Sequence, residues 1–103
     1  MKRVIIESPY SGDVEKNIDY ARLCLRDSLI RGESPIASHL LYTQVLDDSI
    51  PNERSTGLEA GLAWIEVADA HIFYGDLGMS KGMMIAYDRA MQAGKKIETR
   101  YIL

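Results

Sequence analysis

The sequence predicts a small doubly wound α/β domain with a mainly parallel sheet of four or five strands. Three observations lead there. Short apolar runs alternate along the chain with stretches of helical periodicity. The segments between them are rich in Gly, Ser and Pro. A length of 103 residues, 47% of them hydrophobic and 26% charged, suits one globular domain with one modest core, spanning 1–103.

Each element follows from local pattern. The run RVIIES, residues 3–8, is a buried strand that ends at Ser-Pro-Tyr. Asp13 is an acidic cap for a helix on which Ile18, Ala21, Leu25, Ser28 and Leu29 share a face. Gly32 closes that helix. SPIASH, residues 34–39, is a second short strand candidate. The polar stretch 43–56 is too long for a tight turn and reads as a loop lying over something. From Pro51 or Glu53 to Asp69 the pattern is helical again, with Leu58, Leu62, Ile65 and Val67 apolar and Trp64 beside them. AHIFYG, residues 70–75, is a third strand. A helix from Ser80 to Gly94 and a strand in KKIETRYIL complete the chain. Strands separated by helices in this order run parallel.

Composition excludes several function classes. The net charge is −3 with no basic cluster, so duplex nucleic acid is not an expected partner. Nothing approaches the ~20 consecutive apolar residues that a membrane span needs. The single cysteine, Cys24, cannot form an internal disulfide and reads as a small core filler. With no signal peptide recognised in MKRVIIES, a cytoplasmic setting is expected. A chain this short gains by covering surface with a second copy, so self-association is expected. The two histidines lack ligand spacing and no Cys cluster exists, so no metal is expected, and no cofactor either.

In open parallel sheets ligands bind outside the carboxyl ends of the strands. The turns that fall there carry the candidate site. In SPYSGD, Ser8, Tyr10, Ser11 and Gly12 precede a helix N-terminus, where free N–H groups favour an anion. Tyr10 would offer a ring to a base or a hydroxyl to a sugar; the alternative is a plain capped turn. In LGMSKG, Gly78, Ser80, Lys81 and Gly82 form a second anion candidate, unless Ser80 merely caps its helix. His39, just after the second strand, bonds a ligand, orients a loop or is a satisfied structural histidine. His71 is structural, Asp47 and Asp48 are solvated, and Met79, Met83, Met84 and Met91 are core or interface packing. No hydrolase elbow, Walker loop or dinucleotide fingerprint is present.

VIIESPYSGD, PIASHLLYTQVLDD, and GLEAGLAWIEVADAHIFY leading into GMSKGMMIAYDRAMQAGKKI together resemble the nucleoside 2-deoxyribosyltransferase-like superfamily, in particular its 2′-deoxynucleoside 5′-phosphate N-hydrolases and short phage-type members. The resemblance covers nearly the whole chain. It implies a Rossmann- or flavodoxin-like three-layer fold and a dimer or larger assembly with pockets near the subunit interface. In the enzymes a Glu on the third helix attacks the sugar C1′, an Asp on the preceding helix assists, a Tyr positions substrate, and Ser and Gly groups hold the 5′-phosphate. Carboxylates suit this chemistry because the transition state at C1′ is cation-like. The resemblance carries the Tyr onto Tyr10, the phosphate turns onto Ser11, Gly12, Ser80 and Gly82, the nucleophile onto Ala86 and the assisting Asp onto Gly61. Asp88 is two residues further, about 200° around the helix, and faces away. Gly61 either leaves room for a ligand or allows close helix packing.

The first expectation is therefore a binder of a nucleotide or ADP-ribose-type molecule, without turnover, with sequestration of a nucleotide immune signal as the anti-defence use in a phage. The second is an N-glycosidase or deoxyribosyltransferase with displaced acids, Glu7 and Asp13 being the candidates. A third is a protein-binding domain, supported only by the Met-rich helix.

Overall fold

A computed structural model describes residues 1–103. Four strands, β1 (Arg3–Glu7), β2 (Ser34–Ile36), β3 (Ala70–Tyr74) and β4 (Lys96–Arg100), form one sheet in the order β2-β1-β3-β4. Every neighbouring pair is parallel. The helices are α1 (Val14–Ile30), α2 (Ser38–Leu41), α3 (Pro51–Leu62) and α4 (Lys81–Gln92). The expected α/β class with a parallel sheet is thus the observed one, with four strands.

Helices cover both faces, so the central strands are apolar without alternation. Val4 and Ile6 pack with Tyr20 and Cys24 of α1 and with Ile72 and Tyr74. On the other face Ile5 and Phe73 pack with Leu62, Ile65, Met83, Ala86 and Ala90, from α3 and α4 and the turn between α3 and β3. One-residue alternation along β1 and β3 decides which layer each side chain enters.

Three local expectations need correction. The second strand stops at Ile36, where its pairing with β1 ends at Ile5, and Ser38–Leu41 is a single helical turn. Ala37 is buried and Leu40 packs on the core, which a helical turn achieves and an extended chain would not. The buried face of α1 is Asn17, Tyr20, Ala21, Cys24 and Ser28, while Leu29 is 57% exposed. Ala21 and Ser28 are on the buried face as expected and Leu25 packs on the core, with Tyr20 and Cys24 among the core residues. The third helical pattern does not run to Asp69. It tightens to a 3-10 turn over Ala63–Glu66, which leaves Val67 exposed. The helix does begin at Pro51, as the helical pattern indicated, with Pro51 in its first turn, where a missing N–H costs nothing.

A buried polar network lies beneath α1. Arg100 donates to both carboxylate oxygens of Glu33, at 2.8 and 2.7 Å, and to the Tyr74 hydroxyl at 3.1 Å. Ser28 donates to Glu33 at 2.7 Å and Tyr74 to Asp27 at 2.8 Å. Arg100 also contacts Glu98. The Arg100 guanidinium first, and the Ser28 hydroxyl, hold the Glu33 carboxyl at about 2 against the opposing effect of burial. Met83 is the one buried methionine of α4; Met84 and Met91 are exposed.

Candidate functional site

The strand order reverses direction at β1, which has β2 on one side and β3 on the other. Such a switch point opens a crevice at the strands' carboxyl ends. There lies a cavity of about 480 Å³. Its floor is Glu7 and Ser8 at the end of β1. Its walls come from the Tyr10-Ser11 turn, from α2 with its 3-10 extension Tyr42–Gln44, from α3, and from the start of α4.

The first turn is built around Asn17, whose amide donates to the carbonyls of Tyr10 and Ser11 at 2.9 and 3.0 Å. Gly12 takes φ 101°, a left-handed conformation that favours glycine. Asp13 caps α1 by accepting from the Lys16 N–H at 3.2 Å. Neither Gly12 nor Asp13 lines the cavity. The N-terminus of α1 is therefore occupied by its own carboxylate.

The second turn differs. Gly78, with φ 86°, shapes the approach and does not line the cavity. Ser80, Lys81 and Gly82 do. Ser80 Oγ accepts from the Met83 N–H at 3.2 Å, so it caps α4, and its own proton remains free to donate. The N–H groups of Lys81 and Gly82 belong to the first turn and have no intrahelical partner. Lys81 makes no ion pair.

Ser8 is buried, and its Oγ lies 2.7 Å from His39 Nε2. Burial pushes the His39 imidazole below its usual pKa, against the pull of Glu7, so the ring is neutral at pH 7. Its Nδ1 is buried without a partner. Glu7 Oε1 lies 3.2 Å from His71 Nε2; His71 is buried in the central strand β3, and its Nδ1 also has no partner. Cys24 is fully buried and its thiol is pushed up to about 12 by desolvation, outside the cavity.

The two positions where the resemblance places carboxylates both line the cavity. Ala86 is buried in the core of α4. A Cβ on Gly61 would meet Ser38 Oγ at 2.5 Å and Ser38 Cβ at 3.2 Å. Gly61 thus serves the close approach of α3 to α2, and a side chain there must displace Ser38.

Asp47 is exposed and accepts from the Ser49 N–H and hydroxyl. Asp48 is not simply solvated. It lines the cavity, accepts from Ser11 Oγ at 3.2 Å and pairs with Arg54 at 3.2 Å. Arg54 also lines the cavity and was not among the candidates, nor were Ser38, Tyr42 and Gly57. A signal for Arg54 existed: Arg54, Gly57, Leu58 and Gly61 lie three and four residues apart, on one face of a helix begun by Pro51. Three or more His, Cys, Asp or Glu groups gathered as a metal site are not found.

A family model described as a domain of unknown function, DUF7768, matches residues 2–100. No curated protein sequence matches the chain. Among solved structures, the chain is similar to a 2-deoxyribosyltransferase from the psychrotolerant bacterium Bacillus psychrosaccharolyticus, with TM-score 0.67 and 18% identity over 96% of this chain and 72% of that one. It is also similar to the CMP N-glycosidase of Clostridium botulinum, with TM-score 0.55 and 18% identity over 97% and 69%. A 2-desoxiribosyltransferase from Leishmania mexicana gives TM-score 0.53 and 16% identity over 98% and 65%. At these identities the likeness is one of fold, and this chain spans about two thirds of those proteins' lengths. No helix is long and apolar enough to cross a membrane.

Proposed function

The chain belongs to the DUF7768 family, and from the cavity described above we propose that it binds a nucleotide or nucleotide-derived small molecule, of the ADP-ribose type among others, without turning it over. One observation carries this reading. A cavity of about 480 Å³ sits at the switch point and is lined by Lys81 and Gly82 of the first turn of α4, with Lys81 in no ion pair. That volume lies within the ~300–1,000 Å³ typical of small-molecule sites. A phosphate would rest on Lys81, Gly82 and the Ser80 hydroxyl. Tyr10 would meet the base or sugar, and Ser8 and His39 would form the polar floor.

Absence of turnover is supported by Ala86 and Gly61, and by the partners of the acids that do line the cavity. Glu7 is engaged by His71, Asp48 by Arg54, and Glu53 by the Asp47 N–H. The binder is proposed to work as a homo-oligomer. Its use would be sequestration of a nucleotide immune signal, as in a phage anti-defence protein.

The test is incubation with nucleoside monophosphates and ADP-ribose derivatives, then denaturation and chromatography of what the protein retained. Intact ligand is the expected product. Retention of nothing overturns the reading. One observation favours a second reading, an N-glycosidase or deoxyribosyltransferase: Glu7 stands on the cavity floor. Release of free base, lost in Glu7→Gln, would establish it.

A further inference from the structure

The cavity holds two cations on separate elements, and a phosphate at the start of α4 uses only one. Arg54, in the first turns of α3, stands on another wall. Its Nη1 donates to Ser11 Oγ at 3.1 Å and to Asp48 Oδ2 at 3.2 Å. Ser11 in turn donates to the same Asp48 oxygen at 3.2 Å. A cation and a hydroxyl from elements far apart in sequence thus converge on one anionic oxygen.

That oxygen is replaceable. The Arg54 and Asp48 side chains are 48% and 31% exposed, so the pair is worth little in water. Asp48 can turn to solvent without leaving a buried charge. A phosphate can also accept two parallel N–H bonds from the guanidinium, through two of its tetrahedral oxygens, and it carries more charge than a carboxylate. Ser11 would keep its donor role, now to the phosphate. The other cavity acids do not compete for Arg54, since Glu7 meets His71 and Glu53 accepts from the Asp47 N–H.

We propose that Arg54 and Ser11 form a second anion subsite, occupied by Asp48 in the free protein, and that the ligand is a nucleotide bearing two phosphate groups. One phosphate lies at Lys81 and the α4 end, and the other displaces Asp48 at Arg54. This rests on the nucleotide-binding reading and names its ligand class.

Calorimetry at fixed ionic strength tests it with nucleoside 5′-monophosphates, the matching 5′-diphosphates and 3′,5′-bisphosphates. At least one doubly phosphorylated ligand is expected to bind about tenfold more tightly than its monophosphate, the scale of one charged hydrogen-bonded contact. Arg54→Gln is expected to remove that preference. Asp48→Asn, which removes the competing carboxylate, is expected to tighten the doubly phosphorylated ligand further. Equal affinity for mono- and doubly phosphorylated ligands, or weaker binding in Asp48→Asn, overturns the second subsite and leaves nucleotide binding standing. Binding of none of these probes overturns both.

Discussion

Removing the carboxylate from the buried Glu33–Arg100 pair by Glu33→Gln is expected to destabilise the fold sharply at pH 7. The guanidinium would keep the Tyr74 hydroxyl and Glu98 but lose its bidentate partner. Two routes give the magnitude. Removing one member of a buried pair costs about 3–5 kcal/mol when the other is left uncompensated, an upper bound here because Arg100 keeps Glu98. The fall of the Glu33 pKa from 4.5 to about 2 corresponds to about 3 kcal/mol by linkage. The two side chains are only 6% and 11% exposed, so solvent screens the pair little. A domain of this length has about 5–15 kcal/mol in total, so the loss is a large share of it. Because the folded pKa is depressed, this contribution is present above the ordinary carboxylate range and is lost as pH falls from about 4.5 toward about 2. Urea unfolding of both proteins across that range is the assay. The gap between wild type and variant should be largest near pH 7 and close as pH approaches 2. A gap below about 1 kcal/mol at neutral pH, or one that does not narrow in acid, refutes the claim that this pair is stabilising.

Two further outcomes follow from the same geometry. Gly61→Ala places a Cβ against Ser38 and is expected to cost about 1–3 kcal/mol of overpacking, offset by about 1 kcal/mol of helix propensity. Pairing it with Ser38→Gly should recover most of the net loss in a double-mutant cycle read by urea unfolding, and simple additivity would contradict the close approach. Cys24, fully buried with its thiol pushed up to about 12, should resist alkylation by iodoacetamide at pH 8 in the native protein and react promptly once unfolded. Rapid native labelling would contradict that burial.

The order of the strands and main helices, the parallel sheet and the edge at which its turns gather were legible in the sequence. These follow from local signals: apolar runs for β1 and β3, the Asp13 and Ser80 caps, and the glycines that let the chain turn. Of the turn residues singled out as candidates, Ser8, Tyr10, Ser11, His39, Ser80, Lys81 and Gly82 line the cavity, and Gly12 and Gly78 do not. The tertiary structure alone decided what depends on residues far apart in the chain. Arg54 meets Ser11 across 43 positions, and Arg100 meets Glu33 across 67. No periodicity records such pairings, because they arise only when helices settle on the sheet. The same holds for Gly61, whose role depends on how closely α3 lies against Ser38 of α2. It holds for residues 38–41, where the burial of Ala37 and Leu40 made a helical turn of what reads locally as strand. Local pattern encodes backbone form and which strand ends gather the turns; the partners of each polar side chain are fixed by packing, and packing is a property of the whole chain.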